Sequence, residues 1–183
     1  MTIVAGIDIE TTGLLAADHR IIEVYISLWR KDKRIFEFDQ RIDPQRSISA
    51  DALRVHGIDI GQLAGKPTWD AVAPNVVKVL SKADLFVWHN GDDFDGPFIE
   101  QELKRISLTL PKRQSVDTMK AGVWATPDGK KPTLAELCFS LGIDYDATKA
   151  HAASYDVGVM MEAYNTGVRW GYFQQAGIIA TAA

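Results

Sequence analysis

The chain has 183 residues, of which 46% are hydrophobic and 24% charged, an ordinary globular composition sufficient for the core of one domain. A single cysteine, Cys138, excludes an internal disulfide, and no uncharged apolar stretch is long enough to span a bilayer. A net charge of −4 does not exclude a polyanionic partner, because carboxylates that hold divalent cations become less negative once loaded. No basic segment followed by an apolar signal core opens the sequence. The expectation is therefore a soluble intracellular, cytoplasmic protein with no membrane partner.

Residues 3 to 9 (IVAGIDI) predict a first strand, rich in β-branched side chains and closed by the turn-forming Thr12–Gly13. Residues 21 to 29 and 34 to 42 alternate apolar and polar over most of their lengths, and the polar KDK between them predicts an antiparallel hairpin. Ser49 caps a short helix that ends at Gly57, and a second helix runs from Thr68 with Trp69, Val72, Val76 and Leu80 on one side. Residues 85 to 88 (LFVW) have the wholly apolar pattern of a buried strand. The next helix is expected just after Asp95, with Gly96 at its cap and Pro97 at its first position, where the missing N–H does no harm. Further helices are expected over 117–125, 133–141 and 152–165, with Cys138 as a small core residue. Three early strands without intervening helices argue against a purely doubly wound sheet. The reading is an α/β domain, a mixed sheet flanked by helices, over residues 1–167, with residues 168–183 a tail of unassigned role.

Carboxylates call for explanation at three places. Asp8 and Glu10 stand two apart in a strand, so both project from one face and repel each other, a repulsion that a pair of cations would relieve. Taken alone, the pair is also what a solvent-facing strand end looks like. His89-Asn90-Gly91-Asp92-Asp93-Phe94-Asp95 follows the buried strand directly, at the kind of strand end where α/β sites are built. Helix capping explains one acid there, but not three. His151 arrives from a loop and Asp156 follows just over a turn into the last helix; an imidazole there is either a hydrogen-bonded structural group or a base working near neutral pH. Lys104, Arg105, Lys112, Arg113, Lys130, Lys131 and Lys149 are candidate phosphate contacts, each of which could equally be a solvated surface cation.

Together these segments resemble the DnaQ-like exonucleases, in the branch named DEDDh for four acids and a histidine. The family's DxExTG corresponds to Asp8-Ile9-Glu10-Thr11-Thr12-Gly13, its HN and FD to His89-Asn90 and Phe94-Asp95, and its HxAxxD to His151 through Asp156. Residues 48–58 and Val116-Asp117-Thr118 resemble further family segments. Asp43 through His56 and Asp117 through Trp124 have counterparts in exonuclease X. Three residues separate HN from FD where the family usually has two; this spacing resembles the exonuclease I branch and leaves Asp93 as a competitor to Asp95. In a related branch a catalytic tyrosine stands four residues before the last acid. Here that position is Ala152, so the histidine branch fits better.

The resemblance implies a ribonuclease H-like fold and 3′→5′ removal of nucleotides from DNA, with single-stranded ends as the expected substrate. It implies two divalent cations, Mg²⁺ or Mn²⁺, held by Asp8, Glu10, Asp95 and Asp156, with His151 as general base. Thr12, Leu14, His56, Asn90 and Phe94 are the candidates for gripping the terminal nucleotide. RNA as the substrate stays open, because no residue in the sequence decides between RNA and DNA, as does a polymerase or repair partner. A dead-site nucleic-acid-binding module on the same fold is the other alternative, against which the intact set of four acids and His151 argues.

Overall fold

A computed structural model describes residues 2–174 and places a five-stranded mixed sheet between two layers of helices. The first three strands, β1 (Val4–Thr11), β2 (Ile21–Arg30) and β3 (Lys33–Arg41), form an antiparallel meander. On the other side of β1, β4 (Leu85–Trp88) and β5 (Gln114–Asp117) run parallel to it, giving the order β3-β2-β1-β4-β5. The central strand alternates as a two-sided strand should. Ala5, Ile7 and Ile9 join a core with α3 (Trp69–Leu80) and α4 (Asp95–Arg105). Gly6, Asp8 and Glu10 face the other way. A Cβ on Gly6 would lie 2.7 Å from Met161 Cγ and 2.9 Å from Val157 Cγ1 of α7 (Ala153–Arg169), so a glycine lets that helix lie close against β1. Leu137 of α6 (Leu134–Ser140) joins the second core, and its neighbour Cys138 is buried too, which raises the thiol to about 12.

Local chemistry accounts for most helix starts. Ser49 Oγ accepts from Ala52 N–H at the start of α1 (Ala50–His56), and Gly57 ends that helix at φ 68°. Thr133 and Glu136 form a reciprocal capping box on α6. Asp59 and Gln62 form another on the single-turn α2 (Ile60–Leu63), which the sequence reading did not separate.

Three boundaries differ from expectation. Residues 117–125 are not one helix: β5 ends at Asp117, α5 (Thr118–Ala121) follows, and Val123–Ala125 form a 3₁₀ turn. The strand escaped notice because Gln-Ser-Val-Asp lies at a sheet edge and has no apolar alternation to read. Helix α4 begins at Asp95 itself, because Gly96 N–H is turned back onto Gly91 O at 2.8 Å. Helix α7 continues past Gly167 to Arg169, and Phe173, 6% exposed, folds back against Gly167, so the expected tail begins inside packed structure. Residues 175–183 of that tail lie outside the described residues. Among the described residues no helix is long and apolar enough to cross a membrane.

Candidate active site

Parallel pairing of β4 with β1 stops at Gly6, opposite Val87. Beyond it, the β1 edge has no strand partner on that side, and the Ile9 amide donates instead to Asp95 Oδ1 at 3.1 Å. This bond ties the first turn of α4 to the part of β1 that carries Asp8 and Glu10. Asp95 is 3% exposed. Asp156 reaches the same region from the first turn of α7. Three separate elements thus deliver four carboxylates.

All four acids are raised above ordinary carboxyls. Burial raises Asp8 well above the usual range, and the charges of Asp95, Glu10 and Asp156 add to it. Glu10 is pushed up to about 8 by burial, then by Glu23, Asp156 and Asp95. Asp95 rises to about 7, chiefly through burial, although the Ile9 amide opposes the shift. Burial also raises Asp156, against the pull of His151. Glu23, opposite Glu10 in the β1–β2 register, has a cation in contact, Arg41 Nε at 2.9 Å. Asp156 Oδ1 is buried with no hydrogen-bond partner.

Among the described residues no three acids or histidines already close around one point as a finished ligand cage. Mutually repelling carboxylates do not converge further without a cation between them. The donor set nevertheless suits hard divalent ions: carboxyl oxygens only, largely desolvated, with one buried oxygen unpartnered and, among the described residues, no lysine or arginine paired to the four.

His151 sits in the loop before α7 at φ 62°, and its N–H donates to Asp156 Oδ2 at 2.8 Å. The left-handed backbone strains a non-glycine residue, and this hydrogen bond helps hold it. Asp8, His151 and Asp156 line one cleft of about 370 Å³, whose walls include His89, Met119, Thr133, Leu134 and Tyr145. Imidazole and acids therefore face a common space.

The β4–α4 loop is held by a residue to which the sequence reading gave no role. Asp117 Oδ1 accepts from the amides of Asn90, Met119 and Lys120, and its Oδ2 from that of Asp92. Next to it, Thr118 Oγ1 donates to Trp88 O and meets His89 Nδ1 at 2.9 Å. Burial lowers the His89 imidazole to about 4, so it is neutral at physiological pH. Asp117 and Thr118 anchor the HN loop, and the trace of this in the sequence was the resemblance of Val116-Asp117-Thr118 to a family segment. Asn90 takes φ 72° in that loop. Asp93 is exposed and pairs with Lys120 at 2.6 Å, away from the buried acids, whereas Asp95 lies among them.

The remaining candidates occupy varied settings. Leu14 is 79% exposed on the loop after β1. Thr12 is fully buried, its hydroxyl meeting His19 Nδ1 and accepting from Arg20 N–H, both at 3.0 Å, so the loop already uses that group. His56 Nδ1 accepts from Ile58 N–H, which leaves Nε2–H to donate to Thr11 O at 3.2 Å. Its pKa is lowered, mainly by burial and slightly by His151, which places the two imidazoles within electrostatic reach. Phe94 is half-buried, its ring 4.9 Å from that of Phe98.

Among the seven candidate phosphate contacts, two arginines have structural partners. Arg105 donates to the carbonyls of Ala16, Ala17 and His19, and Arg113 to those of Ser81 and Ala83. Lys130 pairs with Glu136 and Lys149 with Asp146.

The family described as Exonuclease (RNase_T) matches residues 5–164. The DNA polymerase III epsilon subunit of Pasteurella multocida is 31% identical over 169 residues, covering 87% of this chain and 66% of its own length. The same subunit of Rickettsia felis is 32% identical over 164 residues, with 86% and 70% covered. E. coli exonuclease I in complex with a dT13 oligonucleotide superposes with a TM-score of 0.79 at 16% identity, over 93% of this chain and 43% of that one. The chain thus spans about two-thirds of these epsilon subunits and less than half of exonuclease I. With a family match over most of its length and the mixed sheet to go with it, the chain belongs to the exonuclease family, in its DnaQ-like, ribonuclease H-like form.

Proposed function

We propose that this protein is a 3′→5′ exonuclease that hydrolyses the terminal phosphodiester of DNA, taking single-stranded ends. The observation that carries the reading is the meeting of Asp8, Glu10, Asp95 and Asp156 beside His151, with no lysine or arginine paired to the four acids among the described residues. Such a cluster lowers stability unless something cationic completes it. DNA enters the proposal through the relatives, since epsilon is named as a subunit of a DNA polymerase and exonuclease I is seen with dT13. The polymerase name also makes a polymerase the partner to look for.

Two divalent cations held by the four carboxylates, Mg²⁺ or Mn²⁺, would offset the charge of the phosphodiester and stabilise the departing 3′ oxygen. His151, exposed on the same cleft, would take the proton from the attacking water. Asp156 holds the His151 backbone and so fixes where the imidazole starts. Water adds to phosphorus as the bond to the upstream 3′ oxygen breaks, giving a nucleoside 5′-monophosphate and a shortened strand with a 3′ hydroxyl. His89 and Asn90, anchored through Asp117 and Thr118, would line the position of the terminal nucleotide.

The test is a gel assay on a 5′-labelled single-stranded DNA oligonucleotide with Mg²⁺ or with EDTA. A ladder of stepwise shortened products that EDTA suppresses is expected. An unchanged band on DNA together with a ladder on RNA would move the substrate to RNA; no product on either would leave a binding module.

A further inference from the structure

Asp93 is one of the three residues between HN and FD, and its carboxylate is shared between two lysines from different segments. Lys120 Nζ lies 2.6 Å from Oδ1 and Lys131 Nζ 3.5 Å from Oδ2. Lys120 follows Met119 in the chain and Lys131 stands two residues before Thr133, and Met119 and Thr133 both line the cleft that holds Asp8, His151 and Asp156. Neither is buried. The second acid nearby, Asp92, is 3.7 Å from Lys120, but its Oδ1 accepts from Trp88 Nε1 and Ser115 Oγ at 2.8 Å each. Lys130, the next cation along, is already paired with Glu136 at 2.8 Å.

A single negative charge with two outward oxygens, one toward each ammonium, is also what a phosphodiester presents through its non-bridging oxygens. We propose that Lys120 and Lys131 form a binding site for a backbone phosphate of the nucleic-acid strand upstream of the scissile bond, and that Asp93 occupies this site when no strand is bound. This rests on the exonuclease reading for the direction of the strand, not for the existence of the site. Binding exchanges one monoanion for another between the same two lysines, so neither ammonium is left unpaired in either state. The carboxylate competes with the phosphate, which weakens strand binding and eases the release and advance of the strand after each cut.

The test is the salt dependence of strand binding. Fluorescence anisotropy of a 5′-fluorescein-labelled oligo-dT, with Ca²⁺ present, is measured over a series of NaCl concentrations for the wild type and for Lys120→Met, Lys131→Met and Asp93→Asn. Each lost phosphate contact lowers the steepness of log K against log[salt] by about 0.7 on a single strand. The two lysine variants are expected to bind more weakly with shallower slopes, and Asp93→Asn more tightly than wild type. An ordinary structural salt bridge gives a different pattern: Asp93→Asn weakens binding as the lysine variants do, or the slopes do not move. Either result overturns the proposal, as does failure of the wild type to bind the strand. If slopes shift as expected while no substrate is cleaved, the phosphate site stands and the exonuclease reading falls.

Discussion

The His151 amide donates to Asp156 Oδ2 at 2.8 Å, so the loop that brings in the candidate base is fastened to a carboxylate of the acid cluster by its backbone rather than by its ring. Position and proton transfer can therefore be separated experimentally. Asparagine tolerates the left-handed conformation at this position and keeps the amide bond while removing the imidazole. His151→Asn is expected to lower turnover by ~10²–10⁴-fold, the usual contribution of a positioned general base. Mn²⁺ binding measured by calorimetry should persist. Wild-type turnover in this variant would remove His151 from the reaction.

The acid cluster predicts how stability depends on pH and metal. Glu10 titrates at about 8 and Asp95 at about 7 in the folded chain, and both are close to ordinary carboxyls when unfolded. Between those limits the folded state binds more protons than the unfolded state, so stability of the metal-free protein falls as pH rises. In EDTA, Tm is expected to be lower at pH 9 than at pH 7, a range above the titration of His56 and His89, both of which are lowered. Mn²⁺ should raise Tm more at pH 9 than at pH 7, and Asp8→Asn should raise the Tm in EDTA at pH 9. A Tm in EDTA that does not change between pH 7 and 9 would contradict the repulsion described.

Asp117 accepts four backbone amides and holds the HN loop on β5. Replacement by alanine strands these donors in partly buried surroundings, at a cost of about 3 kcal/mol. For a chain of this size that corresponds to a fall in Tm of roughly 6–12 °C. Asp117→Asn, which retains one acceptor oxygen, is expected to lose less. Equal and small losses in thermal unfolding would show that water replaces the carboxylate at no cost.

Gly6 links packing to the site, since β1 carries Asp8 two residues later and α7 carries Asp156. The added Cβ of Gly6→Ala would meet Val157 and Met161 at under 3 Å. Overpacking of this kind costs ~1–3 kcal/mol. Turnover measured well below Tm is expected to fall as well, because ~1 Å of misplacement can lower rates by ~10²-fold. Met161→Ala in the same chain should restore part of both. Loss of stability with full turnover would show that β1 and α7 separate without disturbing the acids.

Sequence alone determined what depends on near neighbours in the chain. Alternation placed Asp8 and Glu10 on one face of β1. Ser49 and Thr133 marked their helix starts, and an apolar run marked β4, because capping and periodicity act within about four residues. The motif resemblance depended on residue types in order, and it too is a property of the linear chain. Only the tertiary structure decided what depends on partners far apart. Asp95 is buried under an amide 86 residues away, while Asp93, two residues earlier, turns outward to lysines. Arg105, a candidate phosphate contact as a bare cation, is used by carbonyls 86 to 89 residues away, and Thr12 spends its hydroxyl on its own loop. Strand β5 has almost no apolar residues to mark it and exists because β4 offers it a parallel edge. Hydrogen bonding and burial across such distances follow from how the layers pack, and a linear pattern carries no record of that packing.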